Sequence, residues 1–284
     1  MSQTLDPRLH PLREDLAAEY LRDKVEASAY SKGYAAQVSK GIVPLRRHPA
    51  DEAGQDTELL FGEKVTVYEE KNGWAWVQNA KDSYVGYIRA DTLSREVRQT
   101  THRVKSLRTY VYPQPDMKIP PIDMLSMEST VLTLKEEGRY TQIQGGGWVF
   151  TDHICSLETK ALSHVDVAYQ FLGTPYFWGG KSSVGIDCSG LVQVSLSASG
   201  INTHRDTYVQ ETNAGFPVNS EQCTEGDLIY WPGHVAIALD KENVIHATAN
   251  SMDVLIEPIS HITERVKMET GGTGITAIKR ISTT

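Results

Sequence analysis

Cys188 is the residue of this chain that is best placed to act as a nucleophile. Asp187 precedes it and the apolar run 191–196 follows it, so Asp187 is predicted to be the N-cap of a helix that has Cys188 in its first turn. The unpaired backbone N–H groups and the macrodipole of a helix favour negative charge at that position. Because the thiolate is the reactive form of cysteine, the sequence predicts nucleophilic chemistry at Cys188.

Two histidines downstream could act as a base and as its orienting group. His234 and His246 lie in alternating apolar runs that flank the polar stretch 240–243, and this pattern predicts a β-hairpin. Side chains alternate between the faces of a strand, so an odd loop or a bulge puts both rings on one face, whereas an even loop separates them. The rings would then be diagonal neighbours, with Cβ atoms about 7 Å apart. We predict an odd loop or a bulge.

Each of these residues has a simpler explanation when it is taken alone. A lone cysteine is usually a small buried hydrophobe, and this is the interpretation for Cys155 and Cys223. A histidine on a half-buried strand is more often structural than catalytic. The joint placement of Cys188, a capping Asp and two histidines on one hairpin favours catalysis.

The composition is typical of an enzyme rather than of a nucleic-acid-binding or membrane protein. The 284 residues are 40% hydrophobic, which allows two or three domains, and the net charge of −8 argues against nucleic acid as a partner. No apolar run approaches the length of a membrane span, and residues 1–8 lack the apolar core and cleavage site of a secretory signal. Three scattered cysteines do not make a disulfide framework. We expect a cytoplasmic enzyme that binds no membrane.

The first half of the chain contains an internal repeat. Residues 65–74 align with 131–140, and after a shorter connection 87–93 align with 148–154. Each copy has about sixty residues with short alternating strands and Gly or Asn turns, which is typical of a small β-barrel.

Residues 1–38 do not fit this repeat. Their apolar side chains recur at helical spacing, which predicts a leading helix packed on a barrel. The residues concerned are Leu12, Leu16, Ala17, Tyr20, Leu21 and Val25.

Five blocks in the second half resemble the NlpC family of papain-like cell-wall peptidases, namely 176–180, 187–192, 226–230, 233–235 and 245–247. The resemblance covers the part of the chain from residue 160 to residue 284. It implies a catalytic triad of Cys188, His234 and His246. It also implies that Tyr176 helps to polarise the substrate carbonyl group. Both copies of the repeat resemble bacterial SH3 domains.

These resemblances imply an α+β fold class. Two small SH3-like β-barrels would be followed by a papain-like catalytic domain, in which the helix that bears the nucleophile packs on an antiparallel sheet. The implied domains are an N-terminal helical segment (1–38), a first SH3-like domain (39–96), a second SH3-like domain (97–159) and the peptidase domain (160–284).

A subset of this family carries two such barrels and cleaves small, already released peptidoglycan peptides. Its motifs match here at 59–63 and 82–86. The resemblance implies that the first barrel covers the catalytic cleft and supplies Glu58 and Tyr84. Together with Asp187 and Ser189, these would hold the free ammonium group of an N-terminal L-Ala. The scissile bond would join γ-D-glutamate to an L-diamino acid, either lysine or diaminopimelate, in murein peptide recycling.

The implied mechanism needs no metal and no organic cofactor. His234 would take the proton of Cys188 and form a thiolate–imidazolium pair. The backbone N–H of Cys188 and the hydroxyl of Tyr176 would stabilise the oxyanion. Arg205 and Gln210 also recur in the family, and we assign them to shaping the pocket rather than to the chemistry.

Three alternative functions have to be compared with these residues. A zinc site could use Cys188, Cys223, His234 and His246, although the sequence lacks the short ligand spacings of such sites. A peptide-binding module with an inactive enzyme fold would require a broken triad, and here the three positions are filled. A general cell-wall peptidoglycan hydrolase, or an amidase or acyltransferase, could use the same Cys-His-His site.

Overall fold

The computed structural model describes residues 5–282, and the chain divides into two compact units between Leu157 and Glu158. The sequence predicted that the catalytic domain begins at residue 160, close to this division. The predicted boundaries at 38/39 and 96/97 stay predictions. Within the described part of the chain, no helix has both the length and the apolar character needed to cross a membrane.

The predicted leading helix is wrong. Residues 5–38 contain a short 3-10 turn at Glu19–Leu21 together with extended chain, and residues 1–4 lie outside the described part. The backbone of this segment bonds to distant residues, because Ala17 N–H donates to Ala29 O at 3.0 Å and Ala18 N–H donates to Pro11 O at 2.9 Å. Ala17, Ala18 and Leu21 are buried. Of the six residues that carried the spacing, Ala17 and Leu21 are buried whereas Tyr20 is exposed, so the spacing indicated burial only in part. The backbone pairing of Ala17 and Ala18 excludes a helix there.

A seven-stranded antiparallel sheet forms the first part of unit 1. Its strand order is β5-β4-β8-β7-β6-β3-β9, and its apolar side chains enclose a core that includes Val65, Val67 and Ile88. Alternation in β6 explains the two faces, since Val65 and Val67 are buried while Thr66 between them is partly exposed. The strands of the chain to this point are β1 (Ala17–Ala18), β2 (Tyr30–Ser31), β3 (Tyr34–Val38), β4 (Ile42–Arg46), β5 (Gln55–Leu60), β6 (Lys64–Lys71), β7 (Trp74–Asn79), β8 (Val85–Arg89) and β9 (Leu93–Ser94).

The rest of unit 1 has a core of its own, which includes Val104, Leu125 and Val149. Its strands form three small sheets, with orders β13-β10-β17, β11-β12 and β14-β15-β16. The sequence repeat is visible in the structure, because a 3-10 turn follows β8 at Ala90–Thr92 and another follows β16 at Thr151–His153. These strands are β10 (His102–Val104), β11 (Arg108–Val111), β12 (Asp123–Ser126), β13 (Thr130–Val131), β14 (Thr133–Glu137), β15 (Tyr140–Ile143), β16 (Trp148–Phe150) and β17 (Ile154–Ser156).

Unit 2 is built on a six-stranded antiparallel sheet with the order β20-β25-β21-β22-β23-β24. The buried helix α2 packs against β22 and β23 of this sheet. The elements of unit 2 are α1 (His164–Tyr169), β18 (Lys181–Ser182), β19 (Gly185–Ile186), α2 (Cys188–Ala198), α3 (Thr207–Asn213), β20 (Phe216–Pro217), β21 (Leu228–Trp231), β22 (His234–Ala238), β23 (Asn243–Thr248), β24 (Asp253–Pro258), α4 (Ile259–Thr270) and β25 (Ala277–Arg280).

The hairpin between β22 and β23 has the predicted parity. Ala238 pairs with Val244, so an odd number of residues, 239–243, lies between the two paired positions. The register places His234 and His246 on the same face of the sheet as diagonal neighbours. The predicted odd loop is confirmed.

Candidate active site

The N-terminus of α2 is fixed by Asp187 and by two close-packed glycines. Asp187 is the N-cap, as predicted, and its Oδ1 accepts the backbone N–H of Gly190 at 2.7 Å. The helix approaches the preceding turn so closely that a Cβ atom on Gly190 would lie 2.3 Å from the carbonyl oxygen of Gly180. Since no larger residue fits there, the glycine allows Cys188 to reach the sheet at the first position of a buried helix.

Arg205 holds this helix terminus in place. Its guanidinium group, with Arg205 only 1% exposed, donates to both carboxylate oxygens of Asp187 at 2.8 and 2.7 Å, to Ser189 Oγ at 2.8 Å and to Gly180 O at 3.0 Å. Asp187 also accepts the Gly179 N–H at 2.9 Å. Both oxygens of Asp187 therefore already have partners within the protein.

Gln210 completes this network from α3. Its side-chain amide donates to the backbone oxygens of Ser189 at 3.0 Å and His204 at 2.8 Å. It thereby joins the start of α2 to the segment that carries Arg205. Both residues support the geometry of the site, which agrees with their assignment from sequence to shaping the pocket.

The two histidines of the hairpin are in contact. His234 Nε2 lies 2.8 Å from His246 Nδ1, and the ring planes are inclined by 73°. His246 is fully buried, whereas His234 lies at the edge of a cleft. The predicted ring contact is confirmed, and the Nδ1 atom of His234 is the ring nitrogen that this contact does not use.

Cys188, Tyr176 and His234 line the same cleft, which has a volume of about 390 Å³. The sulfur of Cys188 also lies beside the strand that carries His234, because the backbone of Val235 hydrogen-bonds to it. Thr207 Oγ1 is 3.8 Å from the sulfur. The structure thus brings together the nucleophile and both histidines that the sequence selected.

Desolvation acts against the expected thiolate–imidazolium pair, which stays a prediction. Burial raises the pKa of Cys188 to about 11, and the Asp187 carboxylate adds to this, while bonds from Val235 and Thr207 act in the opposite direction. Burial also lowers the pKa of His234 to about 3, with the neighbouring His246 and Arg265 contributing. Desolvation thus disfavours the charged form of each group, whereas the mutual attraction of a thiolate and an imidazolium group would act in the opposite direction.

Tyr176 is positioned as a hydrogen-bond donor. Its backbone N–H bonds to Met252 O at 2.9 Å, and its side chain lines the cleft. Burial raises the pKa of its hydroxyl group, and the negative charge of the Asp187 carboxylate raises it further. The phenol consequently keeps its proton at neutral pH, and its hydroxyl group can donate a hydrogen bond to a developing oxyanion.

Sequence reasoning missed two charged residues behind the histidines. Glu257 Oε2 lies 3.2 Å from His246 Nε2, and the two guanidinium nitrogens of Arg265 donate to the Glu257 carboxylate at 2.9 Å each. The hydrogen bonds from Arg265 lower the pKa of Glu257, so this carboxylate is ionised. A signal was present, because Glu257 interrupts the apolar run that begins at Val254 on the strand next to His246.

Glu58 and Tyr84 belong to unit 1. Glu58 lies on β5 opposite Pro44, and Tyr84 packs with the core of the seven-stranded sheet, where its backbone N–H bonds to Asp82 Oδ1 at 3.1 Å. Ser189 belongs to unit 2, in the first turn of α2. The proposed meeting of these side chains around a substrate stays a prediction.

The zinc alternative finds no support in the geometry. Among residues 5–282, no group of three or more His, Cys, Asp or Glu side chains is arranged to hold a metal ion. Cys223 packs with apolar side chains of the sheet, including Ile229 and Trp231.

Comparisons with known families agree with the resemblances found in the first and the second half of the sequence. Residues 173–268 match the NlpC/P60 family, and residues 45–93 match the family described as the bacterial dipeptidyl-peptidase Sh3 domain. The first range contains Cys188, His234 and His246, and the second contains Glu58 and Tyr84.

Similar proteins include two peptidases and one solved structure. Dipeptidyl-peptidase 6 of Lysinibacillus sphaericus is 27% identical over 229 residues, which cover 71% of this chain and 83% of that protein. A γ-D-glutamyl-L-lysine dipeptidyl-peptidase of Bacillus cereus is 26% identical over 236 residues, which cover 72% of this chain and 71% of that protein. The crystal structure of an NlpC/P60 family protein from Bacillus cereus has a TM-score of 0.74 at 20% identity, covering 87% of this chain and 99% of the other. This last similarity shows the fold.

Proposed function

We propose that this chain, which belongs to the NlpC/P60 family of cysteine peptidases, hydrolyses the bond between the γ-carboxyl group of D-glutamate and an L-diamino acid in small peptidoglycan-derived peptides. The proposal rests above all on one observation: Cys188 opens a buried helix at a cleft that also contains His234, whose ring is bonded to His246 at 2.8 Å. The name of the similar γ-D-glutamyl-L-lysine dipeptidyl-peptidase supports the choice of bond.

In the proposed reaction, proton transfer accompanies nucleophilic attack. As the sulfur of Cys188 bonds to the γ-carbonyl carbon, His234 takes the thiol proton, and the carbonyl oxygen becomes an oxyanion held by the Cys188 N–H and the Tyr176 hydroxyl. His234 then gives its proton to the leaving amine of the diamino acid. Water, deprotonated by His234, hydrolyses the thioester and restores the thiol.

The proposed pocket for the substrate N-terminus uses Glu58 and Tyr84 from unit 1 with Asp187 and Ser189 from unit 2. An ammonium group that leaves water needs a carboxylate partner. Arg205 also pairs with Asp187, at 2.7 Å, so a bound ammonium group would share this carboxylate with the guanidinium group.

Two further parts of the proposal concern the rest of the chain. Residues 97–159 are proposed to be a second SH3-like barrel, which is supported by the sequence repeat and by their separate core. A pocket for a free N-terminus suits peptides that have already been released from the wall, and on this ground we propose a cytoplasmic role in murein peptide recycling.

Mass spectrometry of the products tests the proposal directly. The wild-type enzyme is incubated with L-Ala-γ-D-Glu-L-Lys and with its diaminopimelate analogue, and Cys188→Ser serves as the control. We expect L-Ala-D-Glu and the free diamino acid from at least one peptide, and no products from the control. Intact peptides after prolonged incubation with the wild type would overturn the proposed substrate class.

A further inference from the structure

His234, His246, Glu257 and Arg265 form a row of polar and charged groups that extends over four elements of unit 2. His246 on β23 contacts His234 on one side and Glu257 of β24 on the other. Arg265 of α4 then pins the Glu257 carboxylate with two hydrogen bonds of 2.9 Å. His246 is 0% exposed, so water does not compete for its ring nitrogens. This row reaches the cleft only through His234 and Arg265.

The carboxylate restricts where His246 can carry its proton. Glu257 is ionised and can only accept, and the contact of 3.2 Å is short although it is not well aligned for a hydrogen bond. The other tautomer of His246 would place a nitrogen lone pair against the carboxylate oxygen, which is repulsive in a buried site. The Nε2 atom of His246 must therefore carry the proton.

The tautomer of His246 determines the tautomer of His234. A neutral imidazole has one N–H, so the Nδ1 atom of His246 is an acceptor, and the 2.8 Å contact requires His234 to donate from Nε2. The remaining nitrogen of His234, Nδ1, then has a free lone pair. We infer that Glu257 is a positioning residue of this active site, which fixes the tautomers of both histidines and so leaves His234 Nδ1 ready to accept the thiol proton of Cys188.

Arg265 gives the same row a second property. It keeps the carboxylate ionised and oriented, and its positive charge opposes protonation of both rings. Glu257 and Asp253 favour protonation of His246, and Glu269 lies near Arg265. The Glu257 carboxylate thus raises the pKa values of the two histidines, and the Arg265 guanidinium group lowers them. Removing one or the other therefore shifts these pKa values in opposite directions.

Nitrogen NMR of the wild-type protein tests the tautomers without any substitution of the row. In two-bond ¹H–¹⁵N correlation spectra of histidine-labelled protein at pH 7.5, we expect the rings of His234 and His246 to be in the Nε2–H form. Spectra of His234→Asn and His246→Asn assign the signals. A wild-type ring in the Nδ1–H form would overturn the inference.

The rate of alkylation of Cys188 by iodoacetamide tests the consequence, with the Cys188 peptide quantified by mass spectrometry. Glu257→Gln presents both a donor and an acceptor to His246, so the wrong tautomer becomes accessible, and we expect alkylation to slow about 10- to 100-fold. In a His246→Asn background the same substitution should have little effect, because no imidazole remains for it to orient. Glu264→Gln removes an exposed carboxylate from α4 and is the matched control, expected to leave the rate unchanged.

The pH profile of alkylation separates positioning from a merely structural role. Protonation of His234 ends its action as a base, so the acid limb of the profile follows its pKa. Glu257→Gln should move this limb to lower pH, and Arg265→Gln should move it to higher pH. Shifts in the same direction, or no shift in either variant, would overturn the inference.

The inference rests on the proposed function for the reaction that the histidines serve, but none of the three readouts uses a peptide substrate. A wild-type enzyme that fails to cleave the tripeptides, yet shows these tautomers and rate changes, would refute the substrate and leave the positioning role of Glu257 intact. The opposite pair of results would refute the role of Glu257 alone.

Discussion

Replacing Arg205 by methionine removes a buried cation from the end of the nucleophile helix. The guanidinium group donates to both oxygens of the Asp187 carboxylate, to Ser189 Oγ and to Gly180 O, and Arg205 is 1% exposed. Removing one partner of a buried ion pair typically costs about 3 to 5 kcal/mol, because the other charge stays buried without compensation.

Three donors would remain on Asp187 in this variant. They are the N–H groups of Gly179 and Gly190 at 2.9 and 2.7 Å and the hydroxyl of Ser189 at 3.2 Å. Since these donors keep part of the compensation, we expect the lower end of the range, about 3 kcal/mol. This loss corresponds to a roughly 150-fold larger unfolding equilibrium constant for unit 2.

Cysteine labelling in urea measures this loss for unit 2 alone. Cys223 is 2% exposed in the core of unit 2, whereas Cys155 belongs to unit 1, so mass spectrometry of the two labelled peptides separates the transitions. Lys241→Met is the matched control, because Lys241 is exposed in a loop, and its effect should stay within about 0.5 kcal/mol.

A double-mutant cycle decides whether the ion pair is the cause. Asp187→Asn keeps a capping oxygen but removes the charge that Arg205 neutralises, so Arg205→Met should cost less in that background. If Arg205→Met changes the free energy of unfolding by less than 1 kcal/mol, or costs the same in both backgrounds, the reasoning about the buried charge is refuted.

Three further outcomes are expected. Cys188→Ser should abolish turnover of the tripeptide at nearly unchanged stability, since the serine hydroxyl is a far weaker nucleophile, and near-normal turnover would exclude a cysteine peptidase. The pKa values of His234 and His246 are lowered to about 3 and about 4, so below about pH 6.5 the unfolded chain binds protons that the folded chain does not. Urea titrations should accordingly show stability falling by about 2 kcal/mol per histidine between pH 8 and pH 5, and a flat profile would contradict their burial in the neutral form. Glu58→Ala and Tyr84→Phe should reduce kcat/KM for the free tripeptide without slowing alkylation of Cys188, and N-acetylation of the peptide should reduce kcat/KM more than either substitution. Equal cleavage of free and acetylated peptide would contradict a pocket for the free N-terminus and would favour a general wall hydrolase.

The features that could be predicted from sequence obey local rules. An Asp before an apolar run caps a helix, and the parity of a hairpin loop decides which side chains share a face, so Asp187 and the histidine pair were placed without knowledge of the tertiary structure. The leading helix failed because apolar spacing alone does not show where backbone groups find partners. Ala17 and Ala18 bond to Ala29 and Pro11, and such pairings are invisible in a periodicity.

Glu257 and Arg265 were missed for a different physical reason. Their importance depends on which strand lies next to β23 and on how α4 crosses behind it, and both are properties of the assembled sheet. Once β24 is known to pair with β23, the register puts Glu257 diagonal to His246 on the same face. Glu257 can be seen in the sequence, but only the strand order shows that it lies next to His246.

The charge state of Cys188 shows how two correct principles compete. A helix N-terminus stabilises a nearby anion by about 0.3 to 1 kcal/mol, and by about 2 kcal/mol in favourable partly buried sites. Full burial can move a pKa by about 3 to 5 units, which is about 4 to 7 kcal/mol. In this site burial dominates, since the pKa of Cys188 is raised to about 11 although it occupies the first position of α2. The helix terminus can still contribute to the transition state, because its N–H groups meet the negative charge of the oxyanion as it forms.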